Sequence, residues 1–395
     1  MTKPIKSSQT LFRGADEIII KASLEKKLAK NKPLKVKHGV DPTSAELHLG
    51  HAVIYEKLRQ FQEQGHIIQF LIGGFTARFG DPTDQSSSRS LRGKQEIESI
   101  SKGYIKQLKN ILDINTIEVR SNAEWYDKMT AEGLIKLMSQ SSVQRMLERD
   151  MFEKRMRLGQ EVNLHEIIYP LLQGYDSVML ESDLTVIGCD QTFNELQARP
   201  LQEASGQAPQ DLVIMPILVG TDGKRKMSQS YGNTINLQDE PNNMYGKIMS
   251  IPDSEIISYF SLVTRLPEKE VEEIKQALIK GENPRDAKAK LACEIVTIHH
   301  SKKAALKAEQ EFKNVFSKHQ TPSDTPELKL KKPSTVIDVL IEAKLVNSKS
   351  DARRMIEQGA VRVDGKTVKG INEKINKASG QVIQVGRRRF VKLVL

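Results

Sequence analysis

The sequence predicts an α/β protein with a doubly wound parallel sheet, followed by a helical region and a small α+β domain. Three observations predict it. Residues 34–73 read as strand, turn, helix and strand in succession, a βαβ unit of the kind that builds doubly wound sheets. Asp211–Gly220 (DLVIMPILVG) reads as a further buried strand. After Asp239 the pattern turns helical and charged, and a proline-bearing stretch then sets off a last block of mixed helix and strand.

Each element follows from its local pattern. Leu34–Val40 is extended and runs into the turn Asp41–Ala45; an amphipathic helix then runs from around Leu47 to Gln64. His66–Gly73 (HIIQFLIG) is a compact run of branched apolar residues, which suits a strand buried on both faces. Leu91–Leu112 and Thr130–Leu147 have helical periodicity and are expected to form an insertion between the halves of the sheet. The strand at 211–220 ends in a glycine-rich turn, Gly220–Gly223. Residues 317–333 have few large apolar groups and three prolines, as a linker does. Beyond it come two short helices, Thr335–Ala343 and Ser350–Gln358, and short strands in AVRVDGKTV, QVIQVG and RFVKLVL. At 395 residues the chain exceeds one compact core. The expected division is 1–238 for the Rossmann-like α/β domain with its insertion, 239–318 helical, 319–332 linker and 333–395 the small domain.

Composition narrows the function. Sixty basic against 50 acidic residues leave +10, which fits a polyanionic partner such as nucleic acid, although a merely basic soluble protein has the same balance. Cys189 and Cys293 are too few for a disulfide framework and show no metal spacing, so they read as thiols in a reducing compartment, with no metal centre expected. The start, MTKPIKSSQT, lacks a secretory apolar stretch, and no run reaches membrane-spanning length. The expectation is a cytoplasmic protein without a membrane partner.

Two motifs carry chemistry. His48-Leu49-Gly50-His51 sits at the strand-to-helix junction, where two imidazoles three residues apart share a face and point donors at an anion drawn by free backbone N–H groups. Gly50, without a Cβ, lets a flat purine approach the backbone. Two surface histidines on a helix would be the plainer reading. Lys226-Met227-Ser228-Gln229-Ser230, preceded by Lys224 and Arg225, is a cationic loop after the strand at 211–220, suited to stabilising a leaving pyrophosphate. Alone it is an ordinary basic loop; paired with the first motif across the α/β domain it is a strong signal.

The pair resembles the two signature motifs of class I aminoacyl-tRNA synthetases. Within that class, Gly39-Val40-Asp41-Pro42-Thr43, Thr76 with Gly80-Asp81-Pro82, Tyr169-Pro170-Leu171-Leu172-Gln173-Gly174-Tyr175-Asp176 and Gly188-Cys189-Asp190-Gln191 look like tyrosyl-tRNA synthetase. The resemblance covers essentially the whole chain, in the family's order. It implies tyrosine, ATP and tRNA(Tyr) as partners, and a homodimer whose contact lies in the helices of 91–165. It implies that Asp176 accepts a hydrogen bond from the tyrosine hydroxyl, and that Tyr169, Gln173 and Asp81 hold the ammonium group, with Asp41 and Thr76 in the same pocket. Asp190, with Gly188, is placed near the adenylate ribose and Gln191 near the tyrosine carboxylate. His48, His51 and Thr43 are placed on the phosphates. Lys226, Ser228 and Gln229 fall in the ATP-binding loop, with Lys226 and Mg²⁺ on the leaving group. Singly, Asp176 would pass for a surface carboxylate and Tyr169 for a core aromatic, but Y-x-x-x-Q-x-x-D puts all three groups on one helical face.

Some positions depart from the family pattern. Gln229 stands where a second lysine is usual, Thr185 and Ile187 replace a longer polar residue and a glycine, and Gly74 replaces the acidic residue of one branch. Asp84 and Gln85 replace a Gly-basic pair, and His38 is also unusual. The block from Ser334 resembles a small RNA-binding module shared by a ribosomal protein and many pseudouridine synthases. Lys349, Arg353, Arg354, Arg387 and Arg388 are its candidate phosphate-binding cations, and its scarcity of aromatics points to backbone contacts over base stacking. A solvated basic surface is the plainer reading. Alternatives for the whole chain are a tryptophanyl-tRNA synthetase, a nucleotidylyltransferase and a non-catalytic RNA-binding protein on a synthetase scaffold.

Overall fold

The computed structural model describes residues 11–42, 46–80, 93–317, 325–330, 334–346, 348–368, 370–371, 373–375, 380–386 and 389–394. The chain forms two compact units: Met1–Glu240 with Lys247–Ser301, and Pro241–Gly246 with Lys302–Leu395.

The first unit is built on six strands: β1 (Glu17–Ile19), β2 (Lys35–Val40), β3 (Ile67–Ile72), β4 (Glu118–Ser121), β5 (Leu184–Gly188) and β6 (Asp211–Met215), in the order β1-β6-β5-β2-β3-β4. β6, β5, β2, β3 and β4 run parallel, and β1 closes the edge antiparallel to β6. β2 and β3 pair from Lys35↔Ile67 to Val40↔Ile72, as the two apolar runs of the expected βαβ unit require. Between them the helix Leu49–Glu63 buries Ala52, Val53, Leu58 and Phe61, an apolar face at helical spacing. From β2 the chain winds to β3 and β4 on one side, then crosses to β5 and β6 on the other. The winding reverses between β2 and β5, where a doubly wound sheet opens a crevice beyond its carboxyl ends.

Several expectations change in detail. The helix foreseen over 130–147 is two, Ala131–Met138 and Val143–Leu147, each started by a hydroxyl cap from Thr130 and Ser142. The first insertion helix spans Lys94–Leu108, and its expected start at 91 lies outside the described residues. The strand foreseen to Gly220 stops at Met215, before Pro216, and the turn at Gly223 has the left-handed φ of +66° that glycine supplies. β1, β4 and β5 were not foreseen, being short and, at the two edges, partly polar.

The helices of 247–301 cluster with the sheet, so compactness does not break at 238/239. Arg265 pairs with the buried Glu56 at 2.9 Å and fastens this region to the helix behind β2. In the second unit, β7 (Glu327–Lys329), which lies inside the expected linker, runs parallel to β13 (Arg389–Val394). β9 (Val361–Val363), β10 (Lys366–Thr367) and β12 (Val382–Val385) complete the sheet β10-β9-β12-β13-β7. A separate pair joins β8 (Ser334–Thr335) to β11 (Lys374–Ile375). Asp364 and Gly365, both at positive φ, make the tight turn between β9 and β10. Helices Val336–Glu342 and Lys349–Glu357, capped by Thr335 and Ser348, close its core of Val336, Leu340, Ile356, Ile383 and Val391.

Gly174 lies in a close backbone contact between the helix Leu164–Leu180 and the segment at Gln197 and Ala198. A Cβ there would lie 2.8 Å from the Gln197 carbonyl carbon and 2.9 Å from the Ala198 nitrogen, both backbone atoms. Gly174→Ala is expected to lower stability by about 1–3 kcal/mol. Urea unfolding measures it, and an unchanged midpoint would contradict this packing.

Candidate functional site

A cavity of about 240 Å³ opens at the switch point, lined by the carboxyl end of β2, the helix Leu164–Leu180 and the turn after β5. The helix brings Tyr169, Gln173 and Asp176 to this one cavity, although Pro170 interrupts its backbone ladder. From β2 and β3 come Asp41 and Thr76, and from the turn after β5 come Asp190 and Gln191.

Asp41 organises one wall. Its Oδ1 accepts from Thr76 Oγ1 at 2.8 Å and its Oδ2 from the Tyr169 hydroxyl at 2.8 Å. A Cβ on Gly73 would lie 1.8 Å from Asp41 Oδ1, so only glycine leaves room for this cluster. Gly74 is also close-packed: a Cβ there would lie 2.2 Å from Ser121 Oγ, so a side chain would require that hydroxyl to move.

Asp176 is 3% exposed. Its Oδ1 accepts from the indole Nε1 of Trp125, the chain's one tryptophan, at 3.0 Å, and its Oδ2 from Asn122 Nδ2 at 3.3 Å. Burial pushes its carboxyl up from 3.8 to about 7, with Lys37, Asn122, Trp125 and Tyr126 pulling the other way.

The histidines stand at the other end. His48 is the extended residue before the helix Leu49–Glu63, and its backbone N–H donates to His51 Nδ1 at 3.2 Å. That bond leaves the His51 proton on Nε2. The two rings stack at 3.9 Å, and His51 lines the cavity. Burial holds His48 down to about 4, with Lys226 adding to the effect, and holds His51 well below 6.5. Both are therefore neutral donors at neutral pH.

At Gly50 a Cβ would lie 3.0 Å from the His48 ring and 3.5 Å from Met227 Cβ, so its bareness also serves their packing. A Cβ on Gly188 would lie 2.9 Å from Asp190 Oδ1. The basic loop reaches the histidines because residues 235–237 run beside the helix start: Leu49 N–H donates to Ile235 O at 2.9 Å, and His48 bridges Asn236. Ser228 N–H donates to Asn233 Oδ1 at 2.9 Å, and Gln229 Nε2 to Asn236 Oδ1 at 3.1 Å. Lys226 Nζ lies 3.9 Å from Asp190 Oδ2. His48, His51 and Lys226 thus share one neighbourhood. Thr43 and Asp81 lie outside the described residues, as do Arg387 and Arg388. Lys349, Arg353 and Arg354 are exposed on the helix Lys349–Glu357, with Arg354 paired to Asp351 at 2.6 Å.

Residues 29–317 match the family model described as tRNA synthetases class I (W and Y), and residues 317–391 match the tyrosine–tRNA ligase SYY-like C-terminal domain. The chain belongs to the class I tRNA synthetases of the tryptophan and tyrosine group. A tyrosine–tRNA ligase of Moorella thermoacetica is 45% identical over 389 residues, spanning 97% of this synthetase and 94% of that protein. Tyrosine–tRNA ligase 2 of Vibrio cholerae is 45% identical over 384 residues, 97% of each chain. In fold, this synthetase is similar to a truncated mitochondrial tyrosyl-tRNA synthetase of Aspergillus nidulans, with TM-score 0.64, 22% identity and 77% and 92% of the chains covered.

The synthetase site also contains residues that its sequence did not single out: Lys37, Asn122, Trp125 and Glu195. A lysine in the middle of a buried parallel strand and a solitary tryptophan were the available signals. The raised Asp176 carboxyl has a measurable sign. The fold holds a proton that the unfolded chain has released above pH 3.8, so this contribution is complete below that value and fades as pH rises towards about 7. Asp176→Asn is expected to gain on wild type across that window, at roughly 1.4 kcal/mol per pH unit. Urea unfolding from pH 4 to 8 checks this, and a gap independent of pH would contradict it.

Proposed function

We propose that the chain is a tyrosine–tRNA ligase, which joins tyrosine to ATP as tyrosyl-adenylate with release of pyrophosphate and then passes tyrosine to the 3′ end of tRNA(Tyr). Carrying this is the similarity to tyrosine–tRNA ligases over nearly the full length of both chains, including the C-terminal domain. The cavity fits the reading. Asp176 is the acceptor for the phenol hydroxyl, while Tyr169 and Gln173 face the ammonium group beside Asp41 and Thr76, and Asp81 is assigned to the same group by resemblance. Gln191 serves the carboxylate, Gly188 and Asp190 the ribose, and Gly50 the purine.

In the first step the tyrosine carboxylate, already ionised, attacks the α-phosphorus, and the bond to the bridging oxygen breaks with its electron pair leaving on pyrophosphate. No general base is needed. The protein positions the reactants and stabilises charge. His48 and His51 act as neutral donors to phosphate oxygens, with Thr43, and Lys226, Ser228 and Gln229 face the leaving group. Mg²⁺ is proposed to arrive with ATP. Among the described residues no three His, Cys, Asp or Glu are grouped to hold a metal, so the ion fits as a companion of the phosphates, where it adds positive charge. In the second step a terminal ribose hydroxyl of the tRNA attacks the adenylate carbonyl and AMP departs.

The rest of the chain supports tRNA handling in the cytoplasm. Exposed Lys349, Arg353 and Arg354, with Arg387 and Arg388, are proposed to meet RNA phosphates, and the helices of 239–318 to form the anticodon side. Among the described residues no helix is long and apolar enough to cross a membrane. A homodimer through the insertion accounts for the solvent-facing Ile135, Val143 and Leu164.

Pyrophosphate exchange against a panel of amino acids is expected to run with tyrosine; exchange with tryptophan alone, or with none, would overturn the reading. His51→Ala is expected to lower the exchange kcat by about 10²–10³-fold, and because both histidines are neutral, wild-type kcat should show no step at pH 6.5. Arg353→Ala with Arg354→Ala is expected to leave exchange intact, weaken tRNA charging and flatten its salt dependence. Equal loss of exchange would contradict this division of labour.

A further inference from the structure

Lys37 has no part in the chemistry above, yet it lines the cavity and is fully buried in β2. Its direct neighbour across the sheet is Thr185 on β5, whose buried Oγ1 has no partner. The carboxylate that meets Lys37 comes from the helix Thr192–Leu196: Glu195 Oε2 lies 2.9 Å from Lys37 Nζ, and each side chain is 1% exposed. Lys37 also donates to Ser177 Oγ at 2.5 Å.

Glu195 is saturated in a directional way. Its Oε1 accepts from Gln173 Nε2 at 2.9 Å, and its Oε2 from Gln210 Nε2 at 2.9 Å. An ionised carboxylate only accepts. Gln173 must therefore turn its NH₂ group towards Glu195 and its Oε1 away, where that oxygen accepts from Asn194 Nδ2 at 2.9 Å and keeps a second lone pair. The opposite flip would set oxygen against oxygen and leave two amide groups facing each other.

We infer that the buried Lys37–Glu195 pair is a positioning device that fixes the Gln173 amide so that the cavity meets its amino acid's ammonium group with an acceptor. This rests on the reading of the cavity as the tyrosine site. The lysine holds the glutamate in place as a charged acceptor, the glutamate orients the glutamine, and the glutamine meets the ligand. Neither charged residue needs to touch the ligand for the effect.

The test pairs two ligands, tyrosine and 3-(4-hydroxyphenyl)propionate, which keeps the phenol and carboxylate but lacks the ammonium group. Trp125, the one tryptophan, bonded to Asp176, supplies a fluorescence signal for titrating both. Glu195→Gln replaces an obligate acceptor by a group that can also donate, so the Gln173 amide is free to turn. Because that change leaves Lys37 buried without a counter-charge, Lys37→Met with Glu195→Gln removes the pair together and guards against misfolding. In either variant tyrosine affinity is expected to fall about 10-fold or more, while the propionate stays within about twofold of wild type. Equal weakening of both ligands, or of neither, overturns the inference alone. A wild type that binds neither ligand overturns the tyrosine reading, and the inference with it.

Discussion

The parallel pairing of β2 with β5, Val36 opposite Leu184 and Lys37 opposite Thr185, is the constraint on which the site depends. Every strand added on one side of that pair winds away from every strand added on the other. The loops leaving their carboxyl ends therefore diverge, and a crevice opens between them without any side chain being removed. Asp41 leaves β2 on one bank, and Asp190 and Gln191 leave β5 on the other. The helix Leu164–Leu180 delivers the chain into β5 and lays Tyr169, Gln173 and Asp176 along the crevice.

The inner end of the crevice is buried, and that sets its electrostatics. Lys37, Asp176 and Glu195 are all buried there, where an unpaired charge is costly. Each has definite partners: Lys37 has Glu195 and Ser177, Asp176 has Trp125 and Asn122, and Glu195 has Gln173 and Gln210. Because each partner has a fixed donor or acceptor role, satisfying the charges also fixes the orientation of the neutral amides between them. Charge pairing and amide direction here belong to one network.

What the sequence disclosed and what it withheld divide along the same line. His48 with His51, and Tyr169 with Gln173 and Asp176, were legible because a helix's own period places them on one face. β2, β3 and the helix between them were legible because two apolar runs flanked an amphipathic one. Lys37, Trp125 and Glu195 were not, since their meeting depends on strand order and on which helix covers which strand, and local pattern contains neither. β1 and β4 escaped because three or four exposed or half-buried residues carry no period. The glycines show a finer limit. Gly50 and Gly74 were visible as residues, but their reasons, the His48 and Met227 side chains in one case and Ser121 Oγ in the other, come from neighbours that only the fold supplies.

The two histidines complete the logic of the crevice. Their depth keeps them uncharged, and the Lys226 ammonium nearby opposes protonation of His48 further. Beside these neutral rings the positive charge is on the loop, where Lys226 is 44% exposed and lies 3.9 Å from Asp190. Inside, His51 is a dipole whose direction is set by backbone: His48 N–H holds His51 Nδ1, so the remaining proton sits on Nε2. A neutral donor fixed in this way needs no proton inventory to be ready, and its field does not change as the solution is titrated through the ordinary histidine range. The loop cation sits where solvent can screen it, and the fixed dipole is built into the start of a helix.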